Sequence, residues 1–403
     1  MAKKVGGGGA IMQPYDENGE YDFNEEGVEP ERVVKGKPPS DKSIDELKKE
    51  ISQNEKPTEN TIVNAQREVD KKTITDSNAF KTIISGRDKI EKDLERLSDE
   101  QLGIVSKYID KLKKFTDGSG LCGWNGEFVK FNQKSSGNDL DKDLGFGWDA
   151  TTFYHEYGHF VDNMESIDGG GNIYSNSSKD VNVDDDALYA FNEIVKEGGI
   201  NTPIKNLKRI PVEYHRAFMK GLSKISGKDD LWKRKSEREF GYKPKPQKPY
   251  LTPEEARLKL GEYGYKRTVE SWKEYKEKQD LYLKAEADGT NAEALKKFKQ
   301  YNEVDLPNHN KPYMVQEKRY GIVSDFFGMY TNNRINPYGQ GFWAHRPSYN
   351  KTQSPQIETW AEYFSFKMTN DTKGLDIMKK YFPKTYKAFE EKYNKLGGKT
   401  NAK

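Results

Sequence analysis

Cysteine is nearly missing. Cys122 stands alone among 403 residues, so no internal disulfide can form and a cysteine-based zinc knuckle is excluded. Beside Gly123 and Trp124, this thiol reads as a small buried hydrophobe. Long hydrophobic runs are missing too. No stretch reaches the roughly 18 apolar residues of a membrane-spanning helix, and no membrane partner is expected. Met1-Ala2-Lys3-Lys4 and the glycines Gly6 to Gly9 lead into no apolar segment, so a classical signal peptide is not expected and cytoplasmic synthesis is the default. Nor does one sign of charge dominate. Lys and Arg number 67 against 65 Asp and Glu, which leaves no global field to gather nucleic acid, and none is expected as a partner. Apolar residues make up 33%, no more than the charged ones, at a mean hydropathy of −1.02. A chain this polar cannot be one dense globule throughout, so its core must be confined to part of it. The 24 Tyr and 19 Phe partly compensate, because aromatic rings bury large areas.

The chain divides by character. Residues 1–74 read as a polar, largely disordered leader, with a short helix near Ile44, Leu47 and Ile51 that Ser43 can cap. Order is expected from about residue 75. Ile90, Leu94, Leu97, Leu102, Ile104, Val105, Ile109 and Leu112 form a broken helical pattern, which predicts two amphipathic helices split near Ser98-Asp99-Glu100. Ser98 with Gln101 fits a capping box for the second. Residues 121–132 predict a hairpin around Asn125-Gly126. A helix follows from about Asp149 to Asn163, with Asp149 or Thr151 as its cap, and Gly169-Gly170-Gly171 ends the region. Residues 180–198 predict another helix. The stretch 200–310, rich in Lys and Glu, reads as a charged helical insertion between the ordered halves 75–199 and 311–403. Its run Lys243 to Lys248 reads as a solvated linker in preference to a phosphate-binding patch.

Chemistry concentrates in the Asp149–Asn163 helix. His155 and His159 are four residues apart, so a helix places both imidazoles on one face, where two nitrogens can reach one metal ion. Glu156 is rotated by about 100° from His155, which suits a carboxylate that approaches a water instead of ligating. There it can take a proton and later pass it to a leaving amine. The pattern is rare by chance in a chain with only five His. A third ligand is required. Glu165 is close in sequence, but helical rotation carries it off the ligand face. His345 would complete a three-histidine site, yet it also reads as a structural histidine packing on Trp343. Glu358 and Glu362 lie on an otherwise apolar helix pattern with Ile357, Trp360, Ala361, Phe364 and Met368. A carboxylate pair on such a face is costly to bury without a cation, which makes one a ligand candidate and the other its supporting partner. Two imidazoles and a carboxylate suit zinc best. Asp325 reads as a cap of a turn or helix.

The ordered set of pieces resembles a known family. His155-Glu156-Tyr157-Gly158-His159-Phe160-Val161-Asp162, then Ser348-Tyr349-Asn350-Lys351-Thr352 shortly before Glu358-Thr359-Trp360-Ala361-Glu362, then a tail with Pro383-Lys384-Thr385, is similar to the catalytic domain of the lethal factor family of zinc metallopeptidases. Thr152-Phe153-Tyr154-His155, residues 324–331 and Gly341-Phe342-Trp343-Ala344-His345 also resemble metallopeptidase domains of bacteriophage minor head proteins. The likeness covers about 120–165 and 318–396. It implies an α+β, helix-rich, zincin-like metallopeptidase domain with a small sheet, and zinc as the cofactor. It further implies His155, His159 and Glu358 as ligands, Glu156 as general base, Glu362 as a supporting carboxylate, and Asp162 as a group that orients a ligand histidine. Tyr349 would donate to the developing oxyanion. The chain departs from lethal factor in two extra residues between Tyr349 and Glu358, and in the long stretch between His159 and Glu358. A zinc endopeptidase acting on protein or peptide is therefore the expected function. The alternatives are a phage-head or mobile-element protein with such a domain, partnered by phage structural proteins in a virion, and a secreted toxin, against which the short polar leader argues.

Overall fold

The computed structural model describes residues 43–53, 59–118, 122–172, 175–337, 342, 344–350 and 354–397. The expected leader over 1–42 lies outside them. Helix α1 (Ile44–Gln53) starts where the sequence suggests, and Ser43 Oγ accepts the Glu46 N–H. Helix α2 (Glu59–Asp76) was not expected, so order begins ahead of residue 75. It buries Val69 and Ile74, and its Asp70 accepts from Ser106 on a neighbouring helix. A short α3 (Asn78–Lys81) follows. Then come α4 (Arg87–Leu94) and α5 (Asp99–Ile109), split at Ser98, where Ser98 and Gln101 satisfy each other's backbone N–H groups in a reciprocal capping box.

Three strands form the only sheet among the described residues, in the order β1 (Lys114–Asp117), β3 (Phe128–Phe131), β2 (Gly123–Trp124). The hairpin of β2 and β3 turns at Asn125-Gly126, where Asn125 Oδ1 accepts from the Glu127 and Phe128 N–H groups and Gly126 takes φ +90. β1 joins β3 in parallel, with Phe115 opposite Val129, a pairing that local sequence does not announce. The short α6 (Asp139–Asp143) supplies Asp141, whose Oδ1 accepts both the N–H and the hydroxyl of Thr151. This buried carboxylate thus secures the first turn of α7 (Ala150–Asp168), the helix that carries His155 and His159. α7 lies on β3 through a knot of rings: Phe153 meets Phe131 at 5.0 Å and Trp148 at 4.9 Å.

Helices α8 (Asp184–Glu197) and α9 (Val212–Ile225) cross at glycines. A Cβ on Gly221 would stand 1.9 Å from the Ile194 carbonyl oxygen, so only glycine permits that approach. Phe218 of α9 stacks on Phe191 at 5.4 Å and is fully buried. The stretch 200–310 is therefore not uniform: its first helix belongs to the core, because its apolar face has a partner. The charged remainder is built differently. α10 (Pro253–Ala287) folds sharply at Gly261 (φ 71), and the Trp272 indole donates to the Leu251 carbonyl, so the short arm lies along the long one. α10 and α11 (Thr290–Lys299) bury only Ala256, Gly264, Ala285, Asn291 and Ala294, while Leu258 and Tyr263 remain exposed. A π-helical turn (Gln300–Asp305) leads into α12 (Leu306–Arg319). At its end, buried Arg319 donates to Asp371 and Asp143 and ties the excursion to the body.

The second half contributes α13 (Gly321–Tyr330), a single turn α14 (Pro347–Asn350), α15 (Pro355–Met368), α16 (Thr372–Tyr381) and α17 (Pro383–Leu396). α15 packs directly on α7. Gly158 makes room, since a Cβ there would sit 3.1 Å from that of Phe364, and the buried Trp360 indole donates to the Gly158 carbonyl at 3.1 Å. The architecture is helix-rich α+β with one small mixed sheet, as the sequence suggests. No described helix is long and apolar enough to cross a membrane.

Candidate metal centre

The contact of α7 with α15 brings together side chains far apart in sequence. Glu358 Oε2 stands 3.4 Å from His155 Nε2 and 3.4 Å from His159 Nε2. Glu358 is almost wholly buried, and no hydrogen bond satisfies its Oε2. A bare buried carboxylate oxygen is costly, and a cation removes that cost. Ligands at about 2.0–2.1 Å around a tetrahedral ion stand about 3.3–3.4 Å from one another, so both measured separations have the length such a site needs. His155, His159 and Glu358 therefore form a group able to hold a metal ion.

A second acidic and imidazole group, Asp325, His345 and Glu358, lies beside it. Distance separates the two cases. His345 Nδ1 and Asp325 Oδ2 are 2.8 Å apart, a hydrogen-bond length with a proton between them, too short for two ligands of one ion. Asp325 Oδ1 also accepts the His345 backbone N–H at 2.6 Å. This pair is a clamp, not a metal site. It corrects one expectation, since Asp325 lies inside α13 and holds His345 instead of capping a helix, and it is consistent with reading His345 as a structural histidine in preference to a third ligand. The Trp343 packing expected for His345 lies outside the described residues, and the ring stacks on Tyr349 with centroids 4.1 Å apart.

Glu362 Oε1 lies 3.6 Å from His155 Nδ1, on the side of the ring away from Glu358, where a supporting carboxylate belongs. Burial alone would push the His155 imidazole down, but the carboxylates of Glu358, Glu362 and Glu156 outweigh it and raise its pKa to about 10. Burial also pulls Glu358 upward, yet the two imidazoles win and hold it well below the usual carboxylate range. Glu156 goes the other way: burial raises it against the pull of both histidines. A carboxylate raised in this manner is a better proton acceptor. Among the described residues no hydrogen bond engages it.

Tyr349 reaches the site beside Glu358. Its hydroxyl donates to Glu358 Oε1 at 2.6 Å. Burial and that neighbouring carboxylate raise its pKa far above the ordinary tyrosine value, so it stays a proton donor. Asp162 does not orient a histidine. Its carboxylate accepts from the Ser177 hydroxyl and from the Ser178 N–H and hydroxyl, and it pairs with Lys392 at 3.0 Å, because it projects from α7 toward α17 and the turn Ser177–Asp180. Glu165 joins the same cluster through Ser177 and Lys392, off the ligand face as expected. Cys122 is half-buried, and its thiol is pushed up to about 11 by burial and by the charges of Asp149 and Glu156. Sequence reasoning missed the Asp325–His345 clamp. Its one signal was a histidine in an aromatic stretch, which does not reveal an acidic partner on another helix. Family models, curated proteins and solved structures were all compared with this chain, and none matches.

Proposed function

We propose that this chain is a zinc-dependent endopeptidase with a zincin-like catalytic body, as its resemblance to the lethal factor family implies. The observation that carries the reading is the buried, unsatisfied Glu358 Oε2 placed 3.4 Å from both imidazole Nε2 atoms. His155, His159 and Glu358 would hold the ion. When bound, zinc acidifies a water and polarises the scissile carbonyl. The remaining work belongs to the chain. Glu156, buried and raised, takes the water's proton at its carboxylate and delivers it to the leaving amine nitrogen. Glu362 steadies the His155 ring from its Nδ1 side. The Tyr349 hydroxyl, kept protonated, is held on Glu358 Oε1 in the substrate-free site and would donate to the oxygen on which negative charge develops once substrate is bound. A substrate peptide would lie extended along the small sheet, adding main-chain hydrogen bonds at its edge.

Metal analysis of dialysed protein tests this. The wild type is expected to retain about one zinc per chain and Glu358→Gln to lose it, while Glu156→Ala keeps zinc and loses peptide hydrolysis. A wild-type chain without zinc would refute the reading.

A further inference from the structure

Tyr349 sits on a helical turn of four residues, Pro347–Asn350, too short to hold itself. Its phenol must be placed from outside. Asn350 Nδ2 donates to Asn333 Oδ1 at 2.7 Å, and Asn333 Nδ2 donates to the Pro347 carbonyl at 3.0 Å, which fixes the turn's backbone. The ring itself meets His345, whose imidazole lies nearly parallel to it, at 17° and 4.1 Å. His345 cannot pivot freely, because both its backbone N–H and its Nδ1 are bound by the two oxygens of one buried carboxylate, Asp325.

We propose that Asp325 and His345 are a positioning pair that keeps the Tyr349 hydroxyl on Glu358 Oε1, so that Glu358 meets a cation through Oε2 alone. A carboxylate with both oxygens bare can ligate through either or both, and can swing between them. With Oε1 engaged at 2.6 Å, one oxygen remains, and it is the one that faces both imidazoles. The chain of contacts runs from α13 through a stacked ring to a ligand on α15, and no member of the pair has to touch the ion.

The affinity test rests on the zinc reading above. Zinc binding to the full chain is measured by chelator competition for wild type, Tyr349→Phe, His345→Ala, Asp325→Asn and the double variant His345→Ala/Tyr349→Phe. Losing such an outer partner typically weakens binding about 10–100-fold. Tyr349→Phe is expected in that range, with His345→Ala and Asp325→Asn weaker than wild type by about tenfold. The double variant should match Tyr349→Phe alone, because His345 acts through the hydroxyl that is already gone. His345→Ala binding as tightly as wild type, or weakening the Tyr349→Phe chain by its full factor, would overturn the proposal. Only 26% of the His345 side chain is exposed, so a second readout guards against a general loss of structure. In zinc-free protein the same four-way cycle is followed by the urea midpoint. Shifts from His345→Ala and Tyr349→Phe that are less than additive support the pairing, and strictly additive shifts reject it, even if the wild type takes up no zinc and the metal reading alone fails.

Discussion

The body around α7 and α15 and the more highly charged excursion of α10 to α12 treat their ionisable side chains in opposite ways. In the body, several ionisable groups go inside against a partner: Glu358 between two histidines, Asp325 on His345, Asp371 on Arg319, Asp162 on Lys392. In α10 and α11 the charged side chains stay in water and only small residues are covered, while the 87% exposed Leu258 shows how little depends on that surface. The number of charges in a segment therefore does not mark the site. What marks it is whether a charge has been desolvated, which is costly and so points to a place with a purpose.

Substitutions can break or sharpen that contrast. The largest expected effect is at the seam. Arg319→Ala strips the partner from Asp371, which stays buried at α16, and should cost about 3–5 kcal/mol in urea unfolding. A loss below 1 kcal/mol would mean that the body tolerates unpaired charge as the excursion does. A smaller effect concerns protons. His155 has a pKa of about 10, above its unfolded value, so in the metal-free chain its contribution is complete below about 6.5 and disappears as pH rises through 10. A ligating imidazole must be neutral, so metal competes with that proton, and apparent zinc affinity should climb about tenfold per pH unit over this window. Calorimetry in buffers of different ionisation heat should find about one proton released per zinc at pH 7.5. Affinity that stays flat from pH 7 to 9 would contradict it. The smallest effect is in the excursion: Leu258→Ser should change stability by no more than about 0.5 kcal/mol. A larger loss would show that this face is covered by something.

Local signals survived folding well, and non-local ones were the gap. The Ser98–Gln101 box, the Asn125-Gly126 turn and the spacing of His155 and His159 depend on neighbours within a few residues, and each appears where the sequence places it. α7 ends at Asp168, five positions later than its pattern suggests. β1 pairs in parallel across a gap, α2 buries two apolar residues scattered among charges, and α9 looks like part of a charged insertion until Phe218 meets Phe191. None of these is written in a window of ten residues. Within the site, helical rotation separated Glu165 from the ligands correctly, but Asp162 was misjudged because its serine and lysine partners come from other segments.

Two groups of the candidate centre come from residues 155–159 and one from residue 358, so an ion held there would act as a cross-link that closes a very long loop. The entropy of closing a loop rises only with the logarithm of its length, about 0.6 kcal/mol for each doubling. The excursion of α10 to α12 can therefore be lengthened, shortened or exchanged at little cost to closure, provided that Arg319 keeps its place. The metal would serve such a chain as a buckle, indifferent to how much strap hangs between its two sides.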